Sequence, residues 1–256
     1  MNSNFRISFP RTCALALFIC LILPACGGLK TRDKDERATS QIKNAAVVAF
    51  MVDEPAAATL GLNVGSGKVK GMHGGSMISK NASEVDQMLA ALQGTLKDQL
   101  HWKVQGTSEM VARPGYLAAY DRTMKGFQNK FPPSSGQNRF LVPKVMDFDS
   151  VRILGQEGRD QLITALGVDA IVAVRVDVIL KGTTFAGIGA RHPQSQFSFY
   201  VYSKGKEAPI WFEGRIAGEE AKESVGSTGF IDEQLLSELA LRSAHTAFRQ
   251  LASAAH

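Results

Sequence analysis

The chain has 256 residues, of which 45% are hydrophobic and 21% are charged, and its formal net charge at pH 7 is +5. This length and apolar content allow one large domain, or two small ones, with a sizeable buried core. The mild basic charge does not predict a nucleic-acid partner, because such a partner requires a long surface patch of one sign.

The first thirty residues have the layout of an export signal. Arg6 and Arg11 precede an uninterrupted run of eleven apolar residues, 13–23, and Pro24 then ends the helical pattern. Spanning a bilayer takes roughly 20 apolar residues, so this run has the length of a signal-peptide apolar region and not of a membrane helix. We therefore predict that residues 1–25 are removed from the mature protein.

The stretch Leu-Pro-Ala-Cys-Gly-Gly at 23–28 resembles the lipobox of bacterial lipoproteins. In that family a diacylglycerol is attached to the cysteine thiol and the signal is cut just before it, so the resemblance implies lipidation of Cys26. Because Gly27 and not Asp follows the cysteine, the resemblance also implies the outer membrane, on its periplasmic face. The alternative is ordinary secretion with cleavage after Gly27, since Ala25 and Gly27 also fit a small-x-small site.

The mature chain divides into a tether and one folded domain. Without residues 1–25 it keeps 27 basic and 24 acidic residues, and Cys26 is its one cysteine. A lone cysteine forms no internal disulfide, so the fold must rest on its apolar core. Residues 26–44 are polar and charged, which predicts a flexible tether from the lipidated cysteine. Residues 45–256 are predicted to form a single α/β periplasmic domain.

The first half of this domain shows alternating strand and helix patterns. Apolar, β-branched residues at 45–52 predict a buried strand, and apolar positions at helical spacing predict a helix over 83–100. We predict an extended stretch at 101–111 and a shorter helix over 115–127. The segment 140–151 is typical of a strand, and Asp147 and Asp149 are predicted to point to the same side of it, on a solvated edge.

The second half predicts a helix, a long strand, a hairpin and a final helix. The first helix ends at Leu166, Gly167 supplies a left-handed helix end, and the strand starts near Asp169. One face of that strand is apolar, and the other carries Arg175 and Asp177. The stretches 196–203 and 208–218 predict a hairpin, and 232–256 predicts an amphipathic helix. Together these elements predict an α/β (α+β) fold, with a mixed sheet covered by helices.

The helix–strand junction at 165–178, Ala-Leu-Gly-Val-Asp-Ala-Ile-Val-Ala-Val-Arg-Val-Asp-Val, carries a second resemblance. Taken with the strand at 45–50 and the leader, it resembles the periplasmic lipoproteins related to the curli-export lipoprotein, the penicillin-binding-protein activator lipoproteins and the TolB amino-terminal domain. The resemblance implies that this strand is central in a small α/β domain. It assigns no functional residues.

The sequence predicts no catalytic, cofactor or metal site. The glycine-rich stretch 61–69 lacks the spacing of a phosphate-binding loop, and the five histidines lack metal-site spacing. We therefore expect a non-enzymatic binding or assembly module for an envelope protein, with the loops 56–80 and 181–196 as binding candidates. Two alternatives stay open: an oligomeric secretion component of the outer membrane, and an envelope hydrolase whose site is assembled from distant residues.

Overall fold

A computed structural model describes residues 32–55, 82–127, 137–182, 189–226 and 232–253. The predicted signal peptide, the predicted lipidation site Cys26 and the glycine-rich segment 56–80 lie outside the described residues. Within them, the chain forms seven strands and seven helices.

The strands are β1 (Arg32–Lys34), β2 (Asn44–Pro55), β3 (Lys103–Gln105), β4 (Gln137–Leu141), β5 (Ala170–Lys181), β6 (His192–Ser203) and β7 (Trp211–Ala217). The helices are α1 (Glu36–Ser40), α2 (Ala82–Leu100), α3 (Thr107–Val111), α4 (Pro114–Phe127), α5 (Phe148–Ile153), α6 (Gln156–Leu166) and α7 (Glu233–Ser253).

The seven strands form one mixed sheet in the order β1-β7-β6-β5-β2-β3, and β4 pairs with the carboxyl-terminal half of β2. Strand β2 runs parallel to β5 and to β3, whereas β5, β6, β7 and β1 are antiparallel neighbours. The predicted fold class, an α/β (α+β) domain with a mixed sheet covered by helices, is confirmed.

Helices cover both faces of the sheet. Helix α7 packs against β6 and β7 and also against α2, and the ring of Phe197 lies 5.1 Å from that of Phe248. Helix α5 packs against β2 and β5, and its Phe148 ring lies 5.3 Å from that of Tyr200. Because successive strand residues point to opposite faces, Phe197 and Tyr200 lie on different faces, and so do the α2–α7 and α5 layers.

The central strands form as their patterns predict. Strand β2 has ten consecutive buried residues between two half-exposed ends, which is typical of a parallel strand covered on both faces. The backbone of Gly167 has φ 65°, and its N–H donates to the carbonyls of Ile163 and Thr164, so the left-handed helix end is confirmed. In β5 the predicted alternation is also confirmed, and the buried residues on its apolar face are Val172, Val174, Val176 and Val178.

Part of the predicted tether is folded. Residues Arg32–Lys34 pair with β7 as an antiparallel edge strand, and α1 follows with the Asp35 carboxylate accepting from the N–H of Ala38. Thr39 and Ile42 are buried. The tether prediction is therefore wrong for residues 32–44, because these polar residues gain their order from β7 and its neighbours and not from an apolar pattern of their own.

Two short helices lie where extended chain was expected. The segment 101–111 contains only the three-residue strand β3 before α3 begins. In the segment 140–151, β4 ends at Leu141, Met146 forms a single bridge to Ala49 of β2, and α5 then begins. Asp147 is the N-cap of α5, since its carboxylate accepts from the N–H of Asp149 at 2.7 Å. The two aspartates therefore lie at a helix start, and the predicted solvated strand edge is wrong.

A substitution at Gly218 would test how closely the chain after β7 packs against α7. A Cβ atom built on Gly218 would lie 1.8 Å from the carbonyl oxygen of Ser243, so Gly218→Ala must push the loop and the helix apart. We expect the free energy of unfolding to fall by about 1–3 kcal/mol in a denaturant titration. Gly94→Ala is the control, because a Cβ there meets nothing within 4 Å in the middle of α2, and it should raise stability by roughly 0.5–1 kcal/mol.

Candidate functional site

A cluster of charged side chains lies where β2 and β5 approach their carboxyl ends, on the same face of the sheet as α5. Asp53 of β2 is the register partner of Asp177 in β5 and of Arg139 in β4. Arg175 lies two residues before Asp177 and therefore on the same face. In open α/β sheets, ligands bind beyond the carboxyl ends of the parallel strands, so a binding site is expected at this end of β2 and β5.

Asp53 is the buried centre of this cluster. Its side chain has no solvent exposure, and Arg139 binds it with two hydrogen bonds, Nε to Oδ1 at 2.8 Å and Nη2 to Oδ2 at 3.0 Å. The Nη2 atom of Arg175 lies 3.0 Å from Oδ2 of the same carboxylate. A two-pronged arginine–carboxylate contact fixes the orientation of both groups as well as their distance.

Arg175 and Asp177 form the exposed layer above Asp53. The Nε and Nη2 atoms of Arg175 lie 2.8 Å and 2.7 Å from Oδ1 of Asp177, and the two side chains are 27% and 31% exposed. Among the described residues, no hydrogen-bond partner reaches Nη1 of Arg175 or Oδ2 of Asp177. Nη1 of Arg175 and Oδ2 of Asp177 are therefore a donor and an acceptor that the described residues leave unused, in side chains that are 27% and 31% exposed.

A second contact joins the cluster to α5. The Nη1 atom of Arg139 lies 3.4 Å from Oδ2 of Asp147, the residue that caps this helix. Burial raises the pKa of Asp147 above its usual value, although the charge of Arg139 acts to lower it. Burial likewise raises the pKa of Asp177 against the opposing charge of Arg175. The network therefore connects β4, β2, β5 and the start of α5 through ion pairs between partly buried side chains.

The surface beside the cluster is polar and is formed by β6. Gln196 lies opposite Asp177 in the register, Ser198 lies opposite Arg175, and both residues are half-buried. Amide and hydroxyl groups supply donors and acceptors without net charge. Together with the Arg175–Asp177 pair they form a hydrogen-bonding face, which we call the polar face: Arg175, Asp177, Gln196 and Ser198.

The described residues contain no group of three or more His, Cys, Asp or Glu side chains placed to hold a metal ion. In the cluster itself, both carboxylate oxygens of Asp53 accept hydrogen bonds from arginines. The guanidinium groups therefore lie where a metal ion would have to bind this carboxylate. His101 and His245 are exposed, His192 is half-buried, and His73 and His256 lie outside the described residues. This chemistry suits recognition by hydrogen bonds.

Most of the predicted site residues lie outside the described part of the chain. This holds for Cys26, for the loop 56–80 and for residues 183–188 of the loop 181–196, in which Lys181 belongs to β5 and residues 192–196 belong to β6. Arg175 and Asp177 stood out in the sequence as charged residues inside an apolar strand. Asp53 and Arg139 carried no such signal, because 86 residues separate them along the chain.

Comparisons with protein-family models, with curated proteins and with solved structures found no match to this chain. Among the described residues, no helix has the length and apolar character needed to cross a membrane.

The buried centre predicts a large difference between two aspartate substitutions. Asp53→Asn removes the buried negative charge that pairs with both Arg139 and Arg175, and we expect the free energy of unfolding to fall by about 3–5 kcal/mol. Asp177→Asn is the matched control, since its side chain is 31% exposed and its ion pair is screened, so the loss should stay below about 1 kcal/mol. Denaturant titrations of both variants check this, and equal losses would contradict the assignment of Asp53 as the centre of the network.

Proposed function

We propose that this chain is an outer-membrane lipoprotein, anchored through Cys26 on the periplasmic face, and that its domain is a non-enzymatic binding module for an envelope protein. The leader supports the anchor, because its short apolar run and the lipobox-like stretch 23–28 fit export followed by lipidation. The observation that carries the binding role is the polar face, whose Arg175–Asp177 pair is held from below by buried Asp53.

This support makes the polar face suitable for recognition. Arginine is enriched at protein interfaces, where it contributes several hydrogen bonds from one planar group. Ordering a free arginine on binding costs about 0.5–1.5 kcal/mol of side-chain entropy, but Arg175 is already fixed by three contacts to two carboxylates. A partner segment that presents an acceptor next to a donor would match Nη1 of Arg175 and Oδ2 of Asp177.

The anchor is tested by Cys26→Ser in cells of a two-membrane bacterium. Serine cannot receive the thioether-linked lipid, so we expect the protein to move from the membrane fraction to the soluble fraction, because anchoring by two or more acyl chains is lost. The mass of the mature amino-terminal peptide of the unchanged protein should show an acylated Cys26. A wild-type chain that begins after Gly27 without lipid would instead support ordinary secretion.

The binding role is tested by crosslinking in intact cells. A photoreactive phenylalanine at Gln196, next to Asp177, should capture an envelope protein after illumination. Asp177→Asn in the same background should reduce capture about tenfold, which corresponds to roughly 1.4 kcal/mol, because one carboxylate oxygen orients Arg175 and the other is open to the partner.

Glu223→Gln is the matched control for this experiment. Glu223 also pairs with an arginine, Arg242 at 3.3 Å, but both side chains of that pair are more than half exposed and lie beside α7. The variant should leave capture unchanged. Equal capture by the unchanged protein, by Asp177→Asn and by Glu223→Gln would contradict a binding role for the polar face. So would the absence of capture by the unchanged protein.

A further inference from the structure

The polar face continues into two aromatic side chains on the same face of the sheet. Tyr200 lies two residues after Ser198 in β6 and opposite Ala173 of β5, so it is a diagonal neighbour of Arg175, at a spacing that long side chains can bridge. Phe212 of β7 is the register partner of Tyr200, and the centres of the two rings lie 4.6 Å apart. We call Tyr200 and Phe212 the aromatic pair.

The aromatic pair is half-buried, unlike the aromatic rings on the opposite face of the same strands. There, Phe197, Phe199 and Trp211 are buried, and α7 packs against β6 and β7. On the face of the aromatic pair, the described helices α5 and α6 pack over β2, β5 and β6. The rings of Tyr200 and Phe212 therefore keep apolar surface that another molecule can cover.

Charged side chains border the aromatic pair on two sides. Burial raises the pKa of the Tyr200 hydroxyl, and Arg152 and Asp149 of α5 act on this pKa with opposite signs, which places both charges near the ring. On the other side, exposed Asp33 of β1 is the register partner of Phe212. An apolar centre with a charged border is typical of protein interfaces, in which aromatic and arginine side chains contribute much of the binding free energy.

Hydrogen bonds to the polar face alone would give weak binding. Groups that stay in contact with water exchange one set of hydrogen bonds for another, so their net contribution is small. A partner side chain packed on Tyr200 would exclude water beside Arg175, and hydrogen bonds are stronger where water is excluded. The apolar contact would therefore strengthen the hydrogen bonds next to it.

From this arrangement we propose that the polar face and the aromatic pair form one docking surface, and that the envelope-protein segment bound there places an aromatic or large aliphatic side chain on Tyr200 and Phe212. The inference rests on the proposed binding role of the polar face. The occupant is a protein segment because the charges around the pair have both signs, as with Asp33 and Arg152, whereas a polyanion would require a basic surface. Gln196 and Tyr200 are separated by about 13 Å along β6, so a short extended segment can cover both parts.

Crosslinking from position 212 tests where the partner lies. A photoreactive phenylalanine replaces Phe212 in the full chain, in cells of a two-membrane bacterium, and so keeps an aromatic ring there. It should capture the same envelope protein as position 196, and mass spectrometry should find an aromatic or large aliphatic residue at or directly beside the link. Ile216 is the matched control position, because it is half-buried in the same strand but pairs with Phe197 on the opposite face, and it should not capture this protein.

Removal of the ring tests whether the aromatic pair contributes to binding. With the photoreactive residue at position 196, Phe212→Thr should reduce capture about tenfold, because the partner side chain loses the ring against which it packs. Ile216→Thr removes an apolar side chain from the opposite face of the same strand and should leave capture unchanged. This control separates the loss of a contact from a loss of stability.

The outcomes distinguish this inference from the proposal on which it rests. Capture that falls with Asp177→Asn but not with Phe212→Thr would overturn the docking of an apolar side chain and leave the binding role of the polar face standing. Equal reductions by Phe212→Thr and Ile216→Thr, or a link from position 212 to a glycan instead of a peptide, would also overturn it. The absence of any capture from position 196 in the otherwise unchanged chain would overturn both proposals.

Discussion

The carboxylate of Asp53 has no access to solvent, and the middle of the sheet is organised to keep that charge paired. An isolated buried carboxylate costs several kcal/mol, so its partners must be present whenever the domain is folded. Arg139 can reach Asp53 only if β4 lies along the carboxyl-terminal half of β2, and this leaves the amino-terminal half of β2 to β3. A slip of β2 by one residue would turn Asp53 towards the α2–α7 layer, away from both arginines. One buried charge therefore contributes to both strand order and register.

The same network explains why the exposed pair above it differs from an ordinary surface ion pair. Arg242 and Glu223 are both more than half exposed, and such pairs contribute little because each side chain loses freedom for a screened attraction. Arg175 is held by Asp53 from below and by Asp177 from the side, so its position is set before any partner arrives. The buried pair of Asp53 and Arg139 thus stabilises the fold, whereas the half-exposed pair of Arg175 and Asp177 is the part of the network that another molecule could contact.

Sequence patterns predicted the elements whose order is local and missed those whose order depends on distant partners. The helix α2, the strands β2 and β5, the β6–β7 hairpin and α7 all show apolar residues at the spacing of one buried face, and each forms as predicted. Strand β1 and helix α1 are polar and gain their order from Trp211 and Glu213, nearly 180 residues later, so no local pattern predicts them.

Among the residues of the charged cluster, Asp147 could have been recognised in the sequence as a helix cap, since aspartate favours that position. Arg175 and Asp177 were visible as charges in an apolar strand, but their buried partners Asp53 and Arg139 were not.

The folding of β1 also determines how the proposed anchor would act on the domain. If residues 32–43 were unpaired, the chain between Cys26 and β2 would reach about 60 Å, which is more than twice the width of the sheet, and every surface of the domain could approach the bilayer. With β1 paired, the reach falls to about 20 Å and becomes shorter than the sheet is wide. The buried Trp211 and Glu213 order Arg32 and Lys34, and these contacts therefore shorten the chain that would join the proposed anchor to the sheet. The contacts of a three-residue edge strand would therefore connect the stability of the fold to the distance at which the proposed anchor holds the domain.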